Sequence, residues 1–178
     1  MSDFLSDIET LRRNARAHIE KGAITETYGA DRDRVISVLN EVLATELVCV
    51  LRYKRHYYTA QGLDSGPAAA EFLQHATDEM GHADQVARRI VQLQGEPNFN
   101  PEGLATRSHA QYVEGNNLLD MVREDLVAER VAIASYQEIV RWIGEGDPTT
   151  QDMIKGILAV EEEHADDLLT LLQGMGKV

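Results

Sequence analysis

At 178 residues, 43% of them hydrophobic and one a cysteine, the chain is long enough to bury a core as a single domain without disulfide staples. No apolar run approaches bilayer length and charges interrupt the stretch from Met1 to Ile19, so the sequence predicts neither a membrane span nor export, and the lone Cys49 suits a reducing, cytoplasmic address. The net charge of −13 repels nucleic acid and anionic lipid at long range and makes cations the expected partners.

Phe4, Leu5, Ile8, Leu11, Ala15 and Ile19 form an amphipathic stripe, with Arg12, Arg13 and Arg16 on other faces. This pattern predicts an extra N-terminal helix in an extension over residues 1–30, ahead of a bundle over 31–178. Turn residues at Gly62 to Pro67, Gly95 to Gly103 and Gly144 to Pro148 then divide the chain into four long segments. The first, about Asp33 to Gln61, repeats apolar or ring-bearing residues at helical spacing through Ile36, Leu39, Leu43, Val50, Tyr53 and Tyr57. The second opens at Ser65-Gly66-Pro67 and runs towards Gly95 through Phe72, Val86, Ile90 and Leu93. A third helix is expected over roughly Gln111 to Ile143, and a fourth from Asp147-Pro148 through Ile154, Ile157, Leu158, Leu168 and Leu171. Short links after the first and third helices favour antiparallel hairpins, and the long Gly95 to Ala110 link predicts one crossover between them. The fold class is therefore all-α, an antiparallel four-helix bundle.

Each long helix interrupts its apolar stripe with a glutamate: Glu46, Glu79, Glu129 and Glu161. An unpaired buried carboxylate costs several kcal/mol, so a compensating cation or proton is implied. Glu79 precedes His82, and Glu161 precedes His164, by three residues, which puts each pair on adjacent turns of one face. The pattern also repeats: Glu79-Met80-Gly81-His82-Ala83-Asp84 is echoed by Glu161-Glu162-Glu163-His164-Ala165-Asp166, and Glu46 with Tyr53 by Glu129 with Tyr136. Superposing the halves brings four carboxylates and two imidazoles to one level, the ligand set of di-iron or di-manganese carboxylate bundles. Glu162 and Glu163 fall off the apolar face. His18, His56, His75 and His109 lack a carboxylate three residues earlier and are read as surface or satisfied core histidines. Tyr53 and Tyr136 are candidates either for core packing or for a hydrogen bond to a ligand, and Asp125 for orienting a ligand histidine.

Leu39-Asn40-Glu41, Thr45-Glu46-Leu47-Val48, Asp78-Glu79-Met80-Gly81-His82-Ala83-Asp84 and Glu161-Glu162-Glu163-His164 resemble the ferritin superfamily and, within it, bacterioferritin, over about Arg34 to Leu172. The resemblance implies a ferritin-like bundle whose Glu46, Glu79, His82, Glu129, Glu161 and His164 hold two irons per subunit, with Glu79 and Glu161 as bridges and Tyr53, Asp125 and Tyr136 around them. It implies oxidation of Fe(II) by O2 or H2O2 and iron storage in a hollow homo-oligomer of 12 or 24 subunits. Met80 matches the methionine that holds haem b between two bacterioferritin subunits. The added N-terminal stretch, and an end soon after the fourth helix, are more similar to the Dps-like proteins with 12-subunit shells. Two rival readings accompany it: a di-iron or di-manganese peroxidase-like or catalase-like enzyme, and a DNA-protecting shell, against which the net charge argues.

Overall fold

A computed structural model describes residues 7–60, 62 and 65–176. The four long helices are α2 (Arg32–Thr59), α3 (Ser65–Gln92), α5 (Leu118–Ile143) and α6 (Pro148–Gly174), with the short helices α1 (Ile8–Asn14) ahead of them and α4 (Leu104–Arg107) in the crossover. There is no strand among the described residues. Helix starts are set by side-chain caps: Asp31, Asn117 and Asp147 accept from the backbone N–H of Arg34, Asp120 and Thr150, and Pro148 occupies the first turn of α6. At the end of α3, a Cβ on Gly95 would lie 2.8 Å from Ile36 Cγ2, so any side chain there would force Ile36 to move where the chain turns against α2.

Helices α2 and α3 form one hairpin and α5 and α6 the other, and the two close into a four-helix bundle. Between them, the crossover runs along α2 and is pinned to it by side chains in sequence. Asn40 accepts from Asn98 N–H, Thr45 Oγ accepts from His109 N–H, and Arg52 donates to the Gln111 carbonyl. Because Gln111 to Asn117 is held this way and Asn117 caps the helix, α5 begins at Leu118, later than the Gln111 start read from the sequence. The first and second helices end near their expected limits, and Gln61 lies outside the described residues.

The N-terminal stretch departs from expectation more strongly. Its helix covers only Ile8–Asn14 and buries nothing; Ile8 is 52% exposed and Ile19 77%. Phe4 and Leu5, also counted in the apolar stripe, lie outside the described residues. A seven-residue helix without a packing surface gains little beyond its Asp7 cap, which is why the stripe does not extend it. Arg12 and Arg13 bond locally, to Glu9 and Thr10. Docking begins further on, where Ile24, Tyr28 and Ala30 pack on the core and Tyr28 donates to Asp147.

The core is split in two. One apolar cluster contains Leu39, Leu43, Val86, Ile90, Ile139 and Ile154; the other contains Tyr53, Phe72, Ala76, Val122, Leu168 and Leu172. Along each helix the glutamate falls between residues of the two clusters, so the polar layer sits at the middle of the bundle. Among the described residues, no helix is long and apolar enough to cross a membrane.

Candidate metal centre

Each long helix contributes one glutamate to this layer, and all four are at most 1% exposed; His82 and His164 are 4% and 3% exposed. The side chains fall into two groups whose ligand atoms lie within 4.8 Å of one another: Glu46, Glu79, His82 and Glu161, and Glu79, Glu129, Glu161 and His164. Glu79 and Glu161 belong to both. His82 Nδ1 lies 3.0 Å from Glu161, 3.3 Å from Glu46 and 3.7 Å from Glu79. His164 Nδ1 lies 3.4 Å from Glu79 and 3.5 Å from Glu161.

These approaches are close without being aligned hydrogen bonds. Glu46 Oε2, Glu79 Oε1, His82 Nδ1, Glu129 Oε2, both Glu161 carboxylate oxygens and His164 Nδ1 are all buried without a partner. So many orphaned acceptors and imidazole nitrogens converging on one space form a cluster that could hold cations, because leaving any one buried group unpaired costs about 1–3 kcal/mol. Carboxylate with imidazole suits Fe(II) or Mn(II), and shared carboxylates suit two ions side by side.

Burial first, and then the neighbouring Glu79 charge, push the Glu46 carboxyl up to about 8. Burial, with Glu79 and Glu161 beside it, likewise raises Glu129. For the imidazoles burial favours the neutral ring, but contact with Glu161, Glu46 and Glu79 outweighs it and holds His82 up at about 12. Glu161 and Glu79 raise His164 to about 10 in the same way. Without metal, the layer therefore retains protons that divalent ions would have to displace.

Tyr53 and Tyr136 are both fully buried, and each reaches across the bundle: Tyr53 on α2 donates to Glu129 on α5, and Tyr136 on α5 donates to Glu46 on α2. One oxygen of each outer carboxylate is thereby fixed, leaving the other facing the centre. Asp125 does something different from what its position suggested. It binds neither His82 nor His164 but accepts from Arg52 at 2.7 Å and pairs with His56 at 2.8 Å, a fully buried cluster that also holds the Gln111, Val113 and Glu114 carbonyls of the crossover. The group facing the outer nitrogen of a candidate ligand is instead Asp78, 3.5 Å from His164 Nε2. Sequence reasoning passed over it because it stands next to Glu79, off the strict apolar register.

His75 is the second residue passed over. It is 1% exposed, its ring stacks on His164 at 3.9 Å, and its Nδ1 meets Tyr53 Oη at 3.2 Å. Burial, then the neighbouring His164, hold it down at about 3, so the ring is neutral. The available signal was Glu71, four residues earlier on the same face. Glu162 and Glu163 are exposed, and Met80 is 43% exposed at the bundle surface.

The profile of the ferritin-like domain family matches residues 36–178. Among curated proteins, the chain is 31% identical to a bacterioferritin of Desulfovibrio desulfuricans over 80% of this chain and 74% of that one. It is 32% identical to a bacterioferritin of Brucella melitensis over 82% and 86%. Among solved structures it resembles the bacterioferritin-related protein of Bacteroides fragilis, described as a dodecameric thioferritin (TM-score 0.80, 30% identity, 84% and 90% covered). A Dps from Thermosynechococcus elongatus shares the fold (TM-score 0.75, 18% identity, 79% and 90% covered).

Proposed function

This chain belongs to the family of ferritin-like domains, and on that footing we propose that it oxidises Fe(II) at an intra-subunit two-metal centre for iron storage and detoxification. The observation that carries this reading is the convergence of unpartnered carboxylate and imidazole atoms in two groups joined by Glu79 and Glu161. Glu46 and His82 would hold one Fe(II), Glu129 and His164 the other, with the two shared carboxylates between them. Two Fe(II) together supply two electrons, which reduce O2 to H2O2, or H2O2 to two waters, with two protons consumed in each case. Anionic ligands favour the higher charge of Fe(III). The residues around them would keep the geometry: Tyr53 and Tyr136 hold the outer carboxylates by hydrogen bonds, and Asp78, 3.5 Å from the outer nitrogen of His164, would accept from it once the inner nitrogen is a ligand.

Storage requires a shell, so a particle mass of twelve or twenty-four chains is expected, and a monomer or dimer would remove storage from the proposal. Stopped-flow mixing with Fe(II) and O2 tests the centre: a fast phase should saturate at two Fe(II) per chain. It should vanish in Glu79→Gln while the far-ultraviolet helical signal persists. Saturation at another ratio, or an intact fast phase in the variant, refutes the assignment.

A further inference from the structure

One turn away from the two-metal centre, Glu71 and His75 on α3 face Asp167 on α6. His75 Nε2 lies 3.7 Å from Glu71 Oε2 and 3.6 Å from Asp167 Oδ2, and their ligand atoms all fall within 4.8 Å of one another. This nitrogen has no hydrogen-bond partner and lies in a residue only 1% exposed, so solvent does not satisfy it either. We propose that Glu71, His75 and Asp167 form a third, mononuclear site for a first-row divalent cation, separate from the pair.

Tyr53 has one hydroxyl proton and donates it to Glu129, so its contact with His75 Nδ1 requires the imidazole to donate there. With the Nδ1 proton directed at Tyr53, the buried and unpartnered Nε2 presents its lone pair to two carboxylates. Three electron-rich groups facing one another gain nothing unless a positive charge stands between them. Stacking on His164 fixes the ring plane, and hence the direction of that lone pair.

The spacing suits an ion of the same size class as the main centre. With metal–ligand distances of about 2.0–2.2 Å, donors on one ion stand about 3.0–3.5 Å apart. The two gaps from His75 Nε2 exceed this by a few tenths of an ångström, and the two carboxylates lie within 4.8 Å of each other. The Glu71 and Asp167 side chains are 39% and 54% exposed, free to close on a cation and to leave its remaining positions to water. One imidazole with two carboxylates selects for Fe(II), Mn(II), Co(II) or Zn(II) over the hard ions Mg(II) and Ca(II). The internal repeat supplies a control. The matching positions around the other hairpin are Met153, Ile157 and Gln85, which offer no imidazole or carboxylate, so the site occurs once per chain. Under the proposed function, its natural occupant is substrate Fe(II) waiting beside the pair, and only that statement rests on the ferroxidase reading.

Equilibrium dialysis of the full chain against Co(II), with metal analysis and anomalous diffraction at the cobalt edge, tests the site. The intact protein should hold three Co(II) per chain, one of them between Glu71, His75 and Asp167. The double variant E71Q/D167N, altered only at partly exposed positions, should hold two, both in the main centre. E79Q should keep the third ion whatever happens to the pair, so a failure of the ferroxidase reading is distinguishable from a failure of this one. Two ions per chain in the intact protein, three in E71Q/D167N, or a third ion found only in cobalt-soaked crystals and not in solution would each overturn the proposal.

Discussion

At the His82 end of the buried layer, the neighbouring positions on the ligand helices are Val42, Ile139 and Ile157, all buried in one apolar cluster. One repeat away, at the His164 end, the matching positions are Asp125, His56 and His75, equally buried but polar. The same candidate ligands thus stand in a dry environment at one end and in a hydrogen-bonded one at the other. The repeat dictates which groups reach the centre. It does not dictate their surroundings, which follow from whatever else each end must hold: the crossover at Arg52, His56 and Asp125, and the Glu71 to Asp167 cleft at His75.

Glu161→Gln removes a carboxylate common to both ends and should erase the distinction altogether. Changes to residues merely orienting ligands cost 10–100-fold, and losing a shared ligand should lower the fast oxidation rate by at least about 100-fold. A stopped-flow trace retaining one fast-reacting iron per chain would instead mean that the ends work independently.

Asp125→Ala breaks the polar end only. It strands Arg52, 1% exposed, without its partner and should destabilise the fold by about 3–5 kcal/mol in urea unfolding. The matching Val42→Ala loses two methyl groups in the apolar cluster, about 2 kcal/mol. Equal losses would show that the polar cluster is no more than packing.

The tyrosines sharpen the contrast further. Tyr136→Phe frees one oxygen of Glu46, whereas Tyr53→Phe frees one of Glu129 and also removes the acceptor for His75 Nδ1. Both should weaken Co(II) binding at the centre, within the roughly 10–100-fold range of orienting groups, with Tyr53→Phe the more damaging. The reverse order in a dialysis titration would assign His75 no part in the centre.

The smallest effect concerns pH. In the metal-free protein Glu46 is raised from 4.5 to about 8, so the folded state binds the extra proton between those values and stability falls as pH rises through them. His82 and His164, raised from 6.5 to about 12 and 10, contribute stability that is full below 6.5 and is lost as pH climbs towards their folded values. Metal binding displaces these protons and strengthens with pH. Between pH 5 and 8 the metal-free Tm should therefore decline while the gap to the Co(II)-loaded Tm widens; parallel curves would mean that no protons leave on loading.

The long helices and the six candidate ligands were legible in the sequence because both depend on local order: three- and four-residue spacing selects one helix face, and a carboxylate on that face is conspicuous. The cap at Asp147, the crossover and the pairing of halves followed from turn residues and segment lengths. Less legible was anything decided by a partner far along the chain. The true start of α5 depends on Arg52 and His56 holding carbonyls beyond residue 110, and Asp125 serves them rather than a ligand histidine. The N-terminal stripe had the right period, but its helix covers only Ile8–Asn14 among the described residues and buries none of them.

The sequence by itself determined which side chains share a helical face, since the helix has a fixed pitch and needs no partner to define it. Which nitrogen of His75 remains open, which tyrosine crosses to which glutamate, and which residues Asp125 pairs with were decided only when four helices met. Those relations depend on distances between elements, and distances of that kind have no period in the chain.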